Sequence, residues 1–231
     1  MPRIARGQVA GYAYHIINRG NGRTQVFHKP QDYAVFLELL ALAKARHGVK
    51  VFGFCLMPNH FHFVLESSTN VALSRFMQWL LTSHVRRYHH HYHSSGHVWQ
   101  GRFKSFPIQR DEHLLVVLRY VVQNPVRAGL VKSPGEWAWS SIQRKDLTDP
   151  CPAYGEADWG KVVEDLLPLE NLKVLRDCVN RQQPFGSTWW QLDIAKRLGL
   201  EATLRPRGRP RIEAKSRVKD WRCGPQAWPI R

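Results

Sequence analysis

Hydrophobic side chains alternate, or recur at helical spacing, through the first half of the chain, and this pattern predicts most of its elements. Residues 12–18 are rich in β-forming side chains and precede an Arg-Gly-Asn-Gly turn, which indicates a first strand. Residues 32–46 and 71–91 repeat apolar side chains with the period of an amphipathic helix. Residues 49–56 and 61–66 flank a Met-Pro-Asn-His segment, and this pair predicts a β-hairpin.

One more strand and one more helix complete this first region. Residues 99–109 predict the strand. Asp111 is suited to cap a helix that runs to Gln123, because Pro125 disfavours helical geometry at the residue before it. The order β-α-β-β-α-β-α predicts an α+β fold with a ferredoxin-like antiparallel sheet, two helices on one face and one additional helix.

The pattern changes after this region. An Asp-Pro-Cys-Pro break at residues 149–152 is followed by helical spacing near residues 159–167, 172–179 and 188–198. From Glu201 onward the basic side chains outnumber the acidic ones and few residues are apolar, which is typical of a flexible tail. We therefore expect a catalytic-type domain at residues 1–142, a helical extension at 143–204 and a basic tail at 205–231.

Charge indicates the kind of partner. The 231 residues include 34 Lys and Arg but only 18 Asp and Glu, a net charge of +16, which favours nucleic acid over an anionic membrane. No apolar run approaches the ~18 residues of a membrane span, so we expect a cytoplasmic protein. The four cysteines are far apart, which argues against a zinc knuckle or a disulfide framework.

Two histidines on one predicted strand are the first candidates for chemistry. His60 and His62 are two residues apart, so both imidazoles face the same side of the strand and could bind one divalent ion. Two unrelated surface histidines remain the simpler alternative. The rigid Met-Pro-Asn turn before the pair and the apolar residues on the opposite face favour a preorganised site.

The helix that follows Asp111 supplies a candidate nucleophile. Tyr120, Asn124 and Arg127 lie close to one line along its surface, beside an otherwise apolar stripe. Tyr120 is either a core-rim residue with its hydroxyl in water or a nucleophile that faces the histidine pair. Tyr88 and Tyr92 are rival nucleophiles, but they stand among arginines and histidines that predict an exposed helix end.

These motifs resemble the HUH single-strand DNA nucleases and, among them, the REP-associated tyrosine transposases of bacteria. The matching segments are FCLMPNHFHFVL at residues 54–65, Tyr120-x-x-x-Asn124-Pro-Val, and the Asn-Arg-Gly turn at residues 18–20. The resemblance covers residues 10–142, and the RPRGRPR block of the tail is similar to the ending of some members. Gln123 stands where some relatives carry a second tyrosine, which leaves Tyr120 as the single candidate.

The resemblance implies the HUH nuclease fold and a site in which a divalent ion, Mg²⁺ or Mn²⁺, assists attack by Tyr120 on DNA. Two histidines supply too few ligands for the coordination sphere of such an ion. We therefore expect a third protein ligand on the Tyr120 helix: Asn124, with Gln123 as the alternative. His15 and Gln123 are possible supporting residues behind the ligands. The residues expected to bind DNA are Arg19, Arg23, Arg102, Lys104, Arg127, and the AT-hook-like Arg207 and Arg209 of the tail.

The function expected from the sequence is cleavage and rejoining of single-stranded, hairpin-forming DNA through a 5′-phosphotyrosine. We expect single-stranded or hairpin DNA as the partner, no membrane, and a monomer or a homodimer. Two alternatives stay open: a DNA-binding regulator that retains the fold without chemistry, and a zinc hydrolase that uses His60, His62 and another histidine.

Overall fold

A four-stranded antiparallel sheet is the centre of the computed structural model, which describes residues 8–153, 163 and 166–205. Its strand order is β2-β3-β1-β4, the order of a ferredoxin-like sheet, as the sequence predicts. The strand bounds are β1 Ala13–Arg19, β2 Val49–Met57, β3 His60–Ser67 and β4 Lys104–Ile108. Strand β4 is shorter than the predicted 99–109, because Trp99 forms only an isolated bridge with Gly20 and the chain bends at residues 100–102.

Two long helices cover one face of this sheet. They are α1, Pro30–His47, and α2, Ala72–Tyr92, and both agree closely with the helical spacing in the sequence. Phe61 and Phe63 of β3 point into this layer and pack against Phe36 of α1. The apolar side chains between sheet and helices form the larger of the two core clusters, and many of them are aromatic.

The additional helix, α3 at Glu112–Val122, lies on the opposite face of the sheet, with its apolar side chains over β2, β3 and β4. Asp111 caps it as predicted, since its Oδ1 accepts a hydrogen bond of 2.9 Å from the His113 backbone N–H. A bulge between Val51 and Gly53 shifts the alternation of β2. The helix lies close enough that a Cβ on Gly53 would stand 2.6 Å from a methyl group of Leu118.

The C-terminal extension packs onto α3 and the same sheet face. Its buried residues Leu172, Leu175, Cys178 and Phe185 share one core cluster with α3. It also covers β4, because the Phe185 N–H donates to the Pro107 carbonyl at 3.0 Å. Among the described residues, the remaining α-helices are α4 Asn124–Arg127, α5 Leu169–Arg181, α6 Thr188–Leu198 and α7 Glu201–Leu204.

Some sequence predictions lie outside the described residues. These are most of the helix predicted near residues 159–167 and the tail beyond Arg205, with Arg207 and Arg209. Within the described residues, no helix combines the length and the apolar character that a membrane crossing requires.

Candidate active site

His60 and His62 lie on the α3 face of β3, as the alternation of the strand predicts. Their ring centroids are 5.0 Å apart. His62 is almost completely buried at 2% exposure, whereas His60, at the start of the strand, is partly open to solvent. The pair therefore has one imidazole inside the protein and one at the edge of a surface pocket.

Each of the two imidazoles is held at its Nδ1 atom. His60 Nδ1 lies 2.6 Å from Asn59 Oδ1, which can only accept, so this ring nitrogen donates. His62 Nδ1 lies 2.9 Å from Nε2 of His15, which is diagonal to it on the adjacent strand β1. In His60 the arrangement leaves the Nε2 lone pair available, which is the usual state of a metal-ligating histidine with a supporting acceptor.

Burial keeps these imidazoles neutral at pH 7. It lowers the pKa of His60 to about 4, with the positive charge of Arg19 adding to the effect. Burial also lowers the pKa of His15 to about 3 and places the pKa of His62 well below its ordinary value. Neutral imidazole nitrogen is the form that binds a cation, so the donor set fits a divalent ion.

Tyr120 faces the histidines from α3. Its ring centroid is 5.7 Å from that of His62 and 6.2 Å from that of His15, with both contacts edge to face. The Arg127 guanidinium lies 4.5 Å above the Tyr120 ring and also donates to the Tyr120 carbonyl. Burial raises the pKa of the Tyr120 phenol, and the nearby charges of Arg127, Arg176 and Arg19 act in the opposite direction.

Asn124 lies one helical turn after Tyr120, and both residues face the same pocket. Its Nδ2 donates to the carbonyls of Tyr120 at 3.0 Å and Val121 at 3.2 Å, at the end of α3. Because the nitrogen makes these bonds, the side-chain oxygen is the atom that Asn124 could offer to a cation. Asn124 lines the same pocket as Tyr120 and His60.

Gln123 points elsewhere, so the structure does not support it as a metal ligand or as a supporting residue. It is 1% exposed, its Nε2 donates to the Val163 carbonyl at 2.9 Å, and its Oε1 accepts from the Leu167 N–H at 3.3 Å. The helical rotation between residues 120 and 123 places this side chain against the extension instead of the pocket. The residue ties α3 to the segment that precedes α5.

The rival tyrosines lie on the other face of the sheet. Tyr92, at the end of α2, donates to Asp32 Oδ2 at 2.7 Å, and Tyr88 lies 2.9 Å from His28 Nε2. Neither residue lines the pocket of the histidine pair. The geometry therefore favours Tyr120 as the tyrosine of the site.

One pocket of about 320 Å³ brings these groups together. It opens between the ends of β1 and β3, the end of α3 and the helix α5. The side chains that carry its chemistry are Arg19, His60, His62, Tyr120, Asn124 and Arg127. A buried tyrosine, neutral imidazoles and arginines in one pocket suit reaction at a phosphate ester.

The family model described as "Transposase IS200 like" matches residues 8–124, slightly more than half of the chain. This segment contains the histidine pair, Tyr120 and Asn124. The chain belongs to the IS200-like transposase family. This family membership agrees with the resemblance to the REP-associated tyrosine transposases that the motifs show.

One similar sequence and one similar structure extend the comparison. A protein of Haemophilus influenzae, provisionally named a REP-associated tyrosine transposase, is 29% identical over 119 residues, which cover 46% of this chain and 64% of that protein. The chain therefore spans less than two thirds of that relative's length. A solved structure, titled as a REP-associated tyrosine transposase bound to a REP hairpin, superposes with a TM-score of 0.52 at 18% identity. It covers 73% of this chain and all of that chain, and at this identity it establishes the fold.

The basic residues predicted to bind DNA divide between two adjoining cavities and the outer surface. Arg19 and Arg127 line the pocket of Tyr120, while Arg102 and Lys104 line a second cavity of about 310 Å³ that also includes Arg19. Arg23 is exposed on the turn after β1 and lines neither cavity. Their role in DNA binding stays a prediction for this IS200-like family member.

Sequence reasoning missed three contributions to the pocket. Arg176, Val179 and Asn180 of α5 form part of its wall, although they lie outside the residues that the family model matches. Arg176 and Val179 lie in the helix predicted at residues 172–179 and Asn180 follows it, but nothing in the sequence indicates where that helix packs. The sequence indicates Asn59 only as part of a rigid turn and gives no sign of its contact with His60.

A second group of possible metal-binding atoms occurs at the opposite end of α3. Asp111, Glu112 and His113 place their ligand atoms within 4.8 Å of one another. Asp111 Oδ1 already accepts from the backbone N–H of His113, which caps α3, and from His113 Nδ1. The rise of the helix separates this cluster from Asn124 by about 16 Å, so it is not part of the pocket.

Proposed function

We propose that the protein cleaves and rejoins single-stranded, hairpin-forming DNA with Tyr120 as the nucleophile. The observation that carries the proposal is the shared pocket, in which Tyr120 lies edge to face with His62 at 5.7 Å. Membership in a transposase family supports a DNA substrate. The hairpin is proposed because the solved structure with the same fold is titled as a complex with one.

In the proposed reaction the Tyr120 oxygen bonds to the phosphorus of one phosphodiester. The bond from phosphorus to the 3′-oxygen breaks, and this oxygen gains through solvent the proton that the phenol loses. The DNA then carries a free 3′-hydroxyl, and its 5′-phosphate is joined to the tyrosine. Because one ester replaces another, attack by a 3′-hydroxyl on the same phosphorus rejoins DNA without an energy source.

The positive charges of the pocket have two tasks in this reaction. An ordinary tyrosine is only about 0.1% ionised at pH 7, and burial lowers that fraction further for Tyr120. Arg127, which lies over the ring, and Arg19 favour the phenolate and attract the phosphate. Arg127 Nη1 is buried without a hydrogen-bond partner, so it is available to donate to an anionic phosphate oxygen of the substrate.

His60, His62 and Asn124 are the residues that would hold a divalent ion, Mg²⁺ or Mn²⁺. Such an ion, when bound, polarises a non-bridging phosphate oxygen and orients the ester for in-line displacement. His15 would support His62, since its Nε2 lies 2.9 Å from His62 Nδ1. Asn59 would support His60 in the same way.

The proposal is tested by incubating the full chain with palindromic single-stranded oligonucleotides and Mg²⁺ or Mn²⁺, followed by a denaturing gel. Tyr120→Phe removes one hydroxyl and keeps the ring, so we expect it to bind DNA without forming a covalent species. Tyr92→Phe is the matched control and should form the adduct normally. An adduct that persists in Tyr120→Phe would refute the assignment. Wild-type protein that binds DNA without an adduct would favour a non-catalytic regulator.

A further inference from the structure

Helix α5 of the C-terminal extension presents three residues to the catalytic pocket. Arg176, Val179 and Asn180 line it, and their spacing places them on one side of the helix. All three lie beyond residue 124, where the family match ends. The extension is therefore in direct contact with the site instead of standing apart from it.

An adjoining side of α5 is fixed in the core. Leu175 and Cys178 are at most 1% exposed and pack in the cluster that contains α3. The two hydrogen bonds of the Gln123 side-chain amide hold the segment that precedes α5 against the end of α3. A helix anchored in this way keeps the backbone of Arg176 at a constant position relative to Tyr120.

The same helix borders the second cavity, and the two cavities adjoin because they share lining residues; together they are called the groove. Ile17, Arg19, Val179 and Asn180 line both of them. The floor of the groove is the end of β1 with the beginning of β4, and α5 is the facing wall. None of the described residues that line the groove is acidic, and its basic members are Arg19, Arg102, Lys104, Arg127 and Arg176.

We propose that α5 and the sheet enclose a groove for the single-stranded segment that adjoins the hairpin, and that Arg176 binds a phosphate of this strand beside the scissile one. Arg176 is exposed, and no acidic side chain among the described residues forms a salt bridge with it. Tyr120 is only 7% exposed, so a phosphodiester has to enter the groove to meet its hydroxyl. An extended single strand can do so with its backbone between the basic side chains on the sheet side and Arg176 on α5.

This inference rests on the proposed function for its substrate, but binding alone can test it. The full chain carrying Tyr120→Phe is compared with and without Arg176→Gln. Arg181→Gln in the same background is the control, because Arg181 lies on the same helix and lines neither cavity. The probes are a DNA hairpin with a single-stranded flank and the same hairpin without it, each titrated over a range of salt.

We expect Arg176→Gln to weaken binding of the flanked hairpin about tenfold, as the loss of one charge-assisted phosphate contact implies. The log–log salt slope should fall by about 0.7, the value for one phosphate of a single strand. Arg181→Gln should change neither the affinity nor the salt slope. The hairpin without a flank should bind the two variants with equal affinity. Equal effects of both variants, or the same loss on the unflanked hairpin, would overturn the inference.

A cleavage assay separates this inference from the proposed function. If wild-type protein forms no adduct while the binding pattern holds, the covalent chemistry is wrong and the groove stands. If wild-type protein forms the adduct and Arg176→Gln binds like Arg181→Gln, the chemistry stands and the role of α5 is wrong.

Discussion

Removing the side chain of Asn59 tests how the candidate metal site is organised. Asn59 Oδ1 lies 2.6 Å from His60 Nδ1, and its Nδ2 donates to the Arg23 carbonyl at 3.1 Å. The residue therefore fixes the proton of His60 on Nδ1 and connects the ring to the turn after β1. In Asn59→Ala the imidazole can rotate or carry its proton on Nε2, and both changes oppose cation binding.

The expected magnitude follows from the role of such supporting hydrogen bonds. Their loss typically weakens metal binding about 10- to 100-fold, or about 1.4–2.8 kcal/mol. Titration with Mn²⁺ by calorimetry measures this directly and does not depend on cleavage. Asn59→Asp keeps the acceptor for Nδ1 and should bind Mn²⁺ at least as well as wild type.

The control is Asn70→Ala. Asn70 Oδ1 accepts from the Ala10 backbone N–H at an exposed position just after β3, whose other end carries His60. It should leave Mn²⁺ affinity unchanged. Wild-type affinity in Asn59→Ala would refute the reasoning, and so would a loss in Asn59→Asp as large as that in Asn59→Ala.

Three further outcomes follow from the structure. Gly53→Ala should destabilise the fold by about 1–3 kcal/mol in urea denaturation, because its Cβ would stand 2.6 Å from Leu118; a stability equal to wild type would show that α3 can shift freely. Burial lowers the pKa of His84 to about 4, so the unfolded chain binds a proton between pH 6.5 and 4 that the folded chain does not. The free energy of unfolding should therefore decrease as the pH is lowered from 6.5 to 4, and His84→Phe should make this decrease smaller by up to about 3 kcal/mol. Equal decreases in wild type and His84→Phe would contradict this. EDTA, or alanine at both His60 and His62, should abolish cleavage and largely spare DNA binding, since binding depends on distributed basic residues; full cleavage under either condition would show that the pair is structural.

Local rules were sufficient for the elements that carry the histidines and the tyrosine. The alternation of β3 places Phe61 and Phe63 in the core and both histidines on the other face. The cap at Asp111 and the helical period bring Tyr120 and Asn124 to one side. These features depend on neighbours within a few residues, which a sequence displays directly.

Long-range packing was not accessible in the same way. The order of elements does not say which face of the sheet α3 covers, and here the face opposite α1 and α2 is also the face of the histidines. Arg176 reaches the pocket only because apolar residues of α5 pack against α3. Gln123 shows the reverse case, since a residue adjacent to Asn124 in sequence is turned into the core.

The most direct test of the account is to locate the covalent bond. The adduct formed with single-stranded hairpin DNA is digested with nuclease and trypsin, and the peptides are sequenced by mass spectrometry. Trypsin cuts after Arg119 and Arg127, so the account predicts a nucleotide phosphate on the tyrosine of the peptide YVVQNPVR, residues 120–127. The phosphate should be attached through the 5′ end of the DNA, and the other product should end in a 3′-hydroxyl. A nucleotide on Tyr88 or Tyr92, or cleaved DNA without any protein-linked nucleotide, would contradict the account.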